Sequence, residues 1–299
     1  MQKVEVVKQS LLPDGNSLRY KDNQTLHSFP SFLRTLSARI VAGSMLLGAV
    51  VTFIVAMTAT TAQSGRVSCL LSCAICAVAF YHYLAIVKIR SQDAGRKQLP
   101  VPGDTTSITK SEVAAIISWQ ELEVDAVRYS DWLVTLPMLI VDLHMMTESV
   151  SSPVWFTPAY APILLVLMVT LGAFLRFGTD ELVPMPSNGD FSVRTIGVVA
   201  FILSSGCLFA VLYNLLWELD FAIAINTWVA AFTLPWSLYG VVVMISIVWR
   251  QVQPRGYPES LSVFKDVAFG SLDVWSKSVF ALFVASRAAG FNAEIFSFE

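Results

Sequence analysis

Residues 127–146 read VRYSDWLVTLPMLIVDLHMM. About 20 mostly apolar residues suffice for a helix to cross a bilayer, yet this stretch holds Arg128, Asp131, Asp142 and His144. An ionisable group at bilayer depth costs about 2.5–3.5 kcal/mol on insertion scales, so such groups face a protein interior and point to function. At about 100° per residue, Asp131, Thr135 and Asp142 lie roughly 300°, 340° and 320° around from Arg128. The four side chains therefore share one stripe about 60° wide, with the apolar remainder facing elsewhere. Asp131 and Asp142 stand about 16 Å apart along the axis, a ladder of proton-binding groups through half a bilayer.

The rest of the chain supports a membrane setting. Of 299 residues, 55% are hydrophobic and 14% charged, and the mean hydropathy is +0.62; soluble domains carry about 25% charged residues. A net charge of −2 gives no attraction for polyanions, which excludes a nucleic-acid partner. The four cysteines all fall in apolar runs and make no disulfide framework. Uncharged runs cover 40–61, 67–87, 155–175, 195–217 and 221–249, and a charged apolar stretch covers 267–286. With 127–146 these make seven spans, so the expected fold is an all-α integral membrane protein with a seven-helix bundle. The runs lack the period-two alternation of barrel strands. Residues 1–39 are expected to form a polar N-terminal tail without a signal-peptide core. Residues 40–287 form the seven-helix domain, and 288–299 a short C-terminal tail.

The seventh span carries LDVWSK, residues 272–277. Asp273 and Lys277 stand at i,i+4, so carboxylate and amine share a helix face. A structural ion-paired core would account for Arg128, Asp131, Asp273 and Lys277. It leaves Asp142 without a cation. A buried carboxyl lacking a partner is held neutral, and a neutral acid in reserve is what a proton donor requires. A buried amine is also a nucleophile toward aldehydes, giving a Schiff base.

These motifs resemble the microbial (type I) rhodopsins, in particular the proteorhodopsin and xanthorhodopsin branch. RYSDWLVTLP at 128–137 is similar to the third-helix pattern of that family, with a carboxylic acid seven residues after the threonine. LDVWSK is similar to its retinal attachment site. FYHYLAIVKIR at 80–90 resembles the segment with the branch's histidine, and WSLY at 236–239 the aromatics that sandwich the polyene. The resemblance implies a retinal-binding domain with all-trans retinal bound covalently to Lys277. It implies Asp131 as primary counterion and proton acceptor, Asp273 as second counterion and Asp142 as proton donor. Thr135 would hydrogen-bond the counterion region, Arg128 would supply positive charge below it, and His82 would hydrogen-bond Asp131. Trp132, Leu139, Trp236 and Tyr239 would line the chromophore, with Leu139 implying green absorption.

Three positions depart from the pattern. Gly240 stands where the family has a proline after the sixth-helix tyrosine, with Pro235 five residues earlier. Asp142 replaces the usual glutamate of the branch. Leu203 aligns with the small residue that opens a carotenoid site, so no carotenoid antenna is expected. His144 reads as interfacial, and Cys69, Cys73 and Cys76 as small packing residues. No metal site and no enzymatic activity are expected.

The functional expectation is a light-driven proton pump moving H+ from the Asp142 face to the Asp131 face. A light-gated cation channel and a sensory photoreceptor are the alternatives. The family's orientation makes transport outward. The charge bias opposes it, because sixteen Lys and Arg lie on the face of the N-terminal segment against Arg66 and Arg287 on the other; an inverted chain would pump inward. Expected partners are membrane lipid, protons and further copies of the chain as a homo-oligomer, in the plasma membrane.

Overall fold

A chain in lipid has to satisfy its backbone hydrogen bonds internally, which leaves the helix as the local structure for long apolar runs. The computed structural model describes residues 17–58, 63–96, 110–147, 160–178, 190–218, 235–246 and 259–290. They form seven helices, with no strand among the described residues. These are α1 (Ser17–Thr58), α2 (Gln63–Arg96), α3 (Lys110–Thr147), α4 (Tyr160–Gly178), α5 (Asp190–Glu218), α6 (Pro235–Ser246) and α7. The seventh consists of α-helical Glu259–Asp273, a π-helical turn Val274–Val279 and α-helical Phe280–Ala288. The ends of the 221–249 span and the side chain of His144 lie outside the described residues.

The bundle is apolar on its outside. Ile40, Leu47, Phe53, Ile163, Ile202 and Phe209 are each at least half exposed, as expected where lipid is the solvent. Inside, α1 packs on α2 and α7, and α2 on α3, α3 on α4 and α4 on α5. The Tyr239–Asp273 hydrogen bond ties α6 to α7. Lipid offers no hydrophobic driving force between helices, so close packing and polar contacts hold them together. Gly48 shows how close that packing is. A Cβ there would lie 3.0 Å from Cys76 Sγ and 3.4 Å from the Ser278 main chain.

Two expectations need correction. Residues 1–39 are not wholly a tail, because α1 begins at Ser17. Ser31, Arg34 and Ala38 are buried at helical spacing, so this polar segment has an inward face of its own. The span read from residue 67 also begins earlier, since α2 starts at Gln63.

Candidate functional site

The α3 stripe points into the bundle. Arg128, Asp131, Thr135 and Asp142 are each no more than 2% exposed. They lie at successive levels, and a different set of neighbours meets each one.

At the middle level, α7 brings Lys277 to Asp131. Its Nζ donates to Asp131 Oδ2 and lies 3.1 Å from Asp273 Oδ1. The widened turn at Val274–Val279 buries Ser276, Lys277 and Ser278 in succession; π turns inside α-helices occur often at functional sites. One ammonium faces two carboxylates, and the two are unlike. Asp273 accepts from Tyr83 Oη at 2.5 Å, Tyr239 Oη at 2.6 Å and Trp132 Nε1 at 3.3 Å. Asp131 Oδ1 has no hydrogen-bond partner. Thr135 donates to the Asp131 main-chain carbonyl at 2.9 Å, one turn back.

His82 is near Asp131 but is not hydrogen-bonded to it. Its Nδ1 lies 3.8 Å from Asp131 Oδ1, whereas the same nitrogen is 2.8 Å from the Val78 carbonyl. The helix's own carbonyl, one turn back, takes the proton expected for the carboxylate.

Toward one end of the bundle, Asp142 is fully buried and accepts from Ser68 and Ser72 of α2, one on each carboxylate oxygen. No cation contacts it among the described residues. Toward the opposite end, Arg128 turns away from the counterions. Its Nη2 donates to Asp266 Oδ1 at 2.6 Å, and Nη1 lies 3.5 Å from Asp125 Oδ1. Its charge is thus held by Asp266 and Asp125, on the side of Asp131 away from Asp142.

Asp266 and Asp125 belong to a network that the sequence reading did not include. Arg90 bridges Glu121 Oε1 at 2.7 Å and Asp266 Oδ2 at 2.8 Å. Lys265 Nζ donates to Asp125 at 2.8 Å, and Arg176 Nε to Asp125 at 2.5 Å. Arg34 Nη1 donates to Ser262 at 3.0 Å, and Ser262 to Glu121. Five helices thus contribute five cations and three carboxylates at this end. Outside the 127–146 span, burial pushes the Glu121 carboxyl up, but Arg90 and Lys265 outweigh it and hold it at about 2. Against its own burial, Asp125 is held low by Lys265, Arg176 and Arg128.

Beside the Lys277 level lies an apolar cavity between α3, α4, α5 and α6; small-molecule sites are concave and mostly apolar. Trp132, Leu136, Leu165, Trp236 and Tyr239 wall it. Trp132 and Tyr239 meet edge to face at 5.1 Å, and both hydrogen-bond Asp273, so two wall residues touch the carboxylate that pairs Lys277. Leu139 is buried in the same cluster but is not part of the cavity wall. It sits three residues, about 4.5 Å along the axis, beyond Leu136. On α5 the wall is Phe201, Ser204, Ser205 and Leu208, whereas Leu203 is 54% exposed on the outer face.

Comparison with known proteins agrees with this architecture. A family profile described as Bacteriorhodopsin-like protein matches residues 32–290. No curated protein sequence matches the chain. Among solved structures, thermophilic rhodopsin is similar at 21% identity and TM-score 0.57, covering 89% of this chain and 96% of its own. Xanthorhodopsin, a light-driven ion pump with dual chromophore, is similar at 17% identity and TM-score 0.55, with the same coverages of 89% and 96%. Halorhodopsin, a light-driven chloride pump, is similar at 15% identity and TM-score 0.58, covering 87% and 96%. At these identities the structural likeness establishes the fold, and the profile match over most of the chain establishes the family, which implies a membrane protein with a retinal chromophore. The chain belongs to the bacteriorhodopsin-like proteins, the microbial rhodopsins.

Proposed function

We propose that the chain is a light-driven proton pump of the plasma membrane, with all-trans retinal bound covalently to Lys277. The observation that carries this reading is the unequal saturation of the two carboxylates at Lys277. Asp273 has three side-chain donors besides the lysine, so its charge is satisfied where it stands. Asp131 touches Lys277 with one oxygen, and its other oxygen accepts no hydrogen bond, with His82 Nδ1 3.8 Å away. A proton leaving Lys277 Nζ finds an open acceptor on Asp131 and none on Asp273.

The residues fit retinal. An apolar, aromatic-walled cavity, two of whose wall residues bond the carboxylate beside a buried lysine, suits a conjugated apolar aldehyde. When bound, retinal supplies light absorption and the isomerisation that drives the cycle. Asp131 and Asp273 hold the proton at Lys277 Nζ in the dark. Asp131 takes that proton after illumination, and Asp142 returns one from the other side. Asp142 suits this role because a fully buried carboxyl with no cation beside it among the described residues is best kept neutral inside a membrane. Trp132, Trp236 and Tyr239 confine the polyene.

Protons then travel from the Asp142 end to the Asp131 end, outward in the family's usual orientation. Beyond Asp131 lies the network of Arg34, Arg90, Arg128, Arg176 and Lys265. Paired there with Glu121, Asp125 and Asp266, these cations close the end of the bundle with buried ion pairs, which favours a pump over an open cation path. Two carboxylates already pair Lys277, which leaves little reason for a chloride ion beside its Nζ.

Cells or sealed vesicles under green light test this. A pump acidifies the side that the Asp131 end faces, its photocurrent keeps its sign across a wide voltage range, and Lys277→Ala abolishes both effects. A photocurrent that reverses with the ionic gradient means a channel, and light absorption without transport means a sensor. Protease access to the N-terminal segment in intact cells fixes the direction.

A further inference from the structure

The face of α2 toward Asp142 and Lys277 is polar at every turn. Ser68, Ser72 and Cys76 recur at i, i+4 and i+8, about 6 Å apart along the axis. All three are buried. Ser68 donates to Asp142 Oδ1 and Ser72 to Asp142 Oδ2. One turn further on, Cys76 Sγ lies 3.7 Å from the main-chain carbonyl of Lys277. That carbonyl sits in the π turn and also accepts from the Phe280 N–H. The three groups are thus ordered: Ser68 nearest the start of α2, then Ser72, then Cys76 at the lysine.

A hydroxyl both donates and accepts, so it can hand a proton on while it orients a carboxyl. The thiol is a weaker donor and has little freedom, because Gly48 closes on its sulfur from α1. It is suited to holding the lysine backbone rather than to relaying protons.

We propose that α2 divides the donor-side proton transfer between its turns: Ser68 serves uptake by Asp142 from the membrane surface, Ser72 serves delivery from Asp142 to Lys277, and Cys76 positions the main chain of Lys277 to receive it. In delivery, the O–H bond of Asp142 breaks and an N–H bond forms at Lys277 Nζ. In uptake, the Asp142 carboxylate takes a proton from the aqueous side. This inference rests on the pump reading.

Flash spectroscopy of the retinal-loaded full chain in vesicles, with infrared detection of the Asp142 carboxyl, separates the two steps. One hydrogen bond is worth about 0.5–1.5 kcal/mol, so each loss changes its step by up to about tenfold. Ser72→Ala and Cys76→Ala are expected to slow reprotonation of Lys277 by about that factor, and Cys76→Ser to restore it. Ser68→Ala is expected to slow reprotonation of Asp142 instead. A second measurement needs no retinal. The S–H stretch of Cys76, isolated as the difference between the wild type and Cys76→Ala in retinal-free protein, is expected at the lowered frequency of a bonded thiol. Serine variants that slow the same step equally, or a free-thiol frequency, overturn the inference while the pump reading stands. A wild type whose Lys277 never gives up its proton overturns the pump reading, and the division between the serines with it.

Discussion

Replacing Asp125 by Asn tests whether the buried network holds the bundle together. Asp125 receives Lys265 Nζ at 2.8 and 3.0 Å, Arg176 Nε at 2.5 Å and Arg128 Nη1 at 3.5 Å. The amide keeps the volume but removes the charge, and it turns an N–H toward one of the cations. Arg128 keeps its closer contact with Asp266 at 2.6 Å, so it loses little. Lys265 loses its charged partner at 2.8 Å and keeps Glu121 Oε2 at 4.0 Å. Removing one partner of a buried ion pair costs about 3–5 kcal/mol, because the other charge is left uncompensated. The residual Glu121 contact places the cost near the lower end, about 3 kcal/mol. At roughly 2–4 °C per kcal/mol for chains of about 150–250 residues, the melting midpoint should fall by about 6–12 °C. Circular dichroism in detergent at one fixed scan rate reads it. Adding Lys265→Met to Asp125→Asn removes the stranded charge and should recover part of the loss. An unchanged midpoint for Asp125→Asn, or a double variant worse than the sum of the two singles, would refute the reasoning.

Three further outcomes are expected. Asp142→Asn should slow reprotonation of Lys277 by about 10²–10³-fold, the usual scale for losing a positioned acid, and make its rate follow bulk pH; flash spectroscopy across pH checks both. Gly48→Ala should push against Cys76 and the π turn, where a Cβ meets the sulfur at 3.0 Å, and destabilise the fold by about 1–3 kcal/mol, read as a lowered melting midpoint. Glu121 has an ordinary value of 4.5 and is held at about 2 in the fold; its contribution to stability is therefore complete above about pH 4.5 and lost as pH falls toward 2. Melting curves over that window should decline for the wild type, and more shallowly for Glu121→Gln.

The central helix was readable because one physical rule fixed it. Charged side chains in a bilayer face protein, and 100° spacing put Arg128, Asp131, Thr135 and Asp142 on one face, where all four are buried. The same rule holds for further buried charges. Glu121 and Asp125 lie about 20° and 60° from Arg128 on α3, and Asp266 lies two turns before Asp273 on the same face of α7. Those positions fall in segments that read as polar connections, where a charge is more often solvated. What hid them was that the helices continue past their apolar runs. The partners of Asp142 were hidden for a different reason. Ser68 and Ser72 are ordinary small residues in an apolar run, and only the approach of α3 gives them a role. His82 shows the limit of pattern matching: it lies 3.8 Å from Asp131 Oδ1, but its Nδ1 bonds the Val78 carbonyl.

The account rests on Lys277 as the point where chromophore and proton path meet. Mass spectrometry of the purified, retinal-loaded protein after reductive trapping tests this most directly. The peptide containing Lys277 should carry the mass of one reduced retinyl group, and no other lysine peptide should. An unmodified Lys277 peptide, or the adduct on a different lysine, would contradict the account.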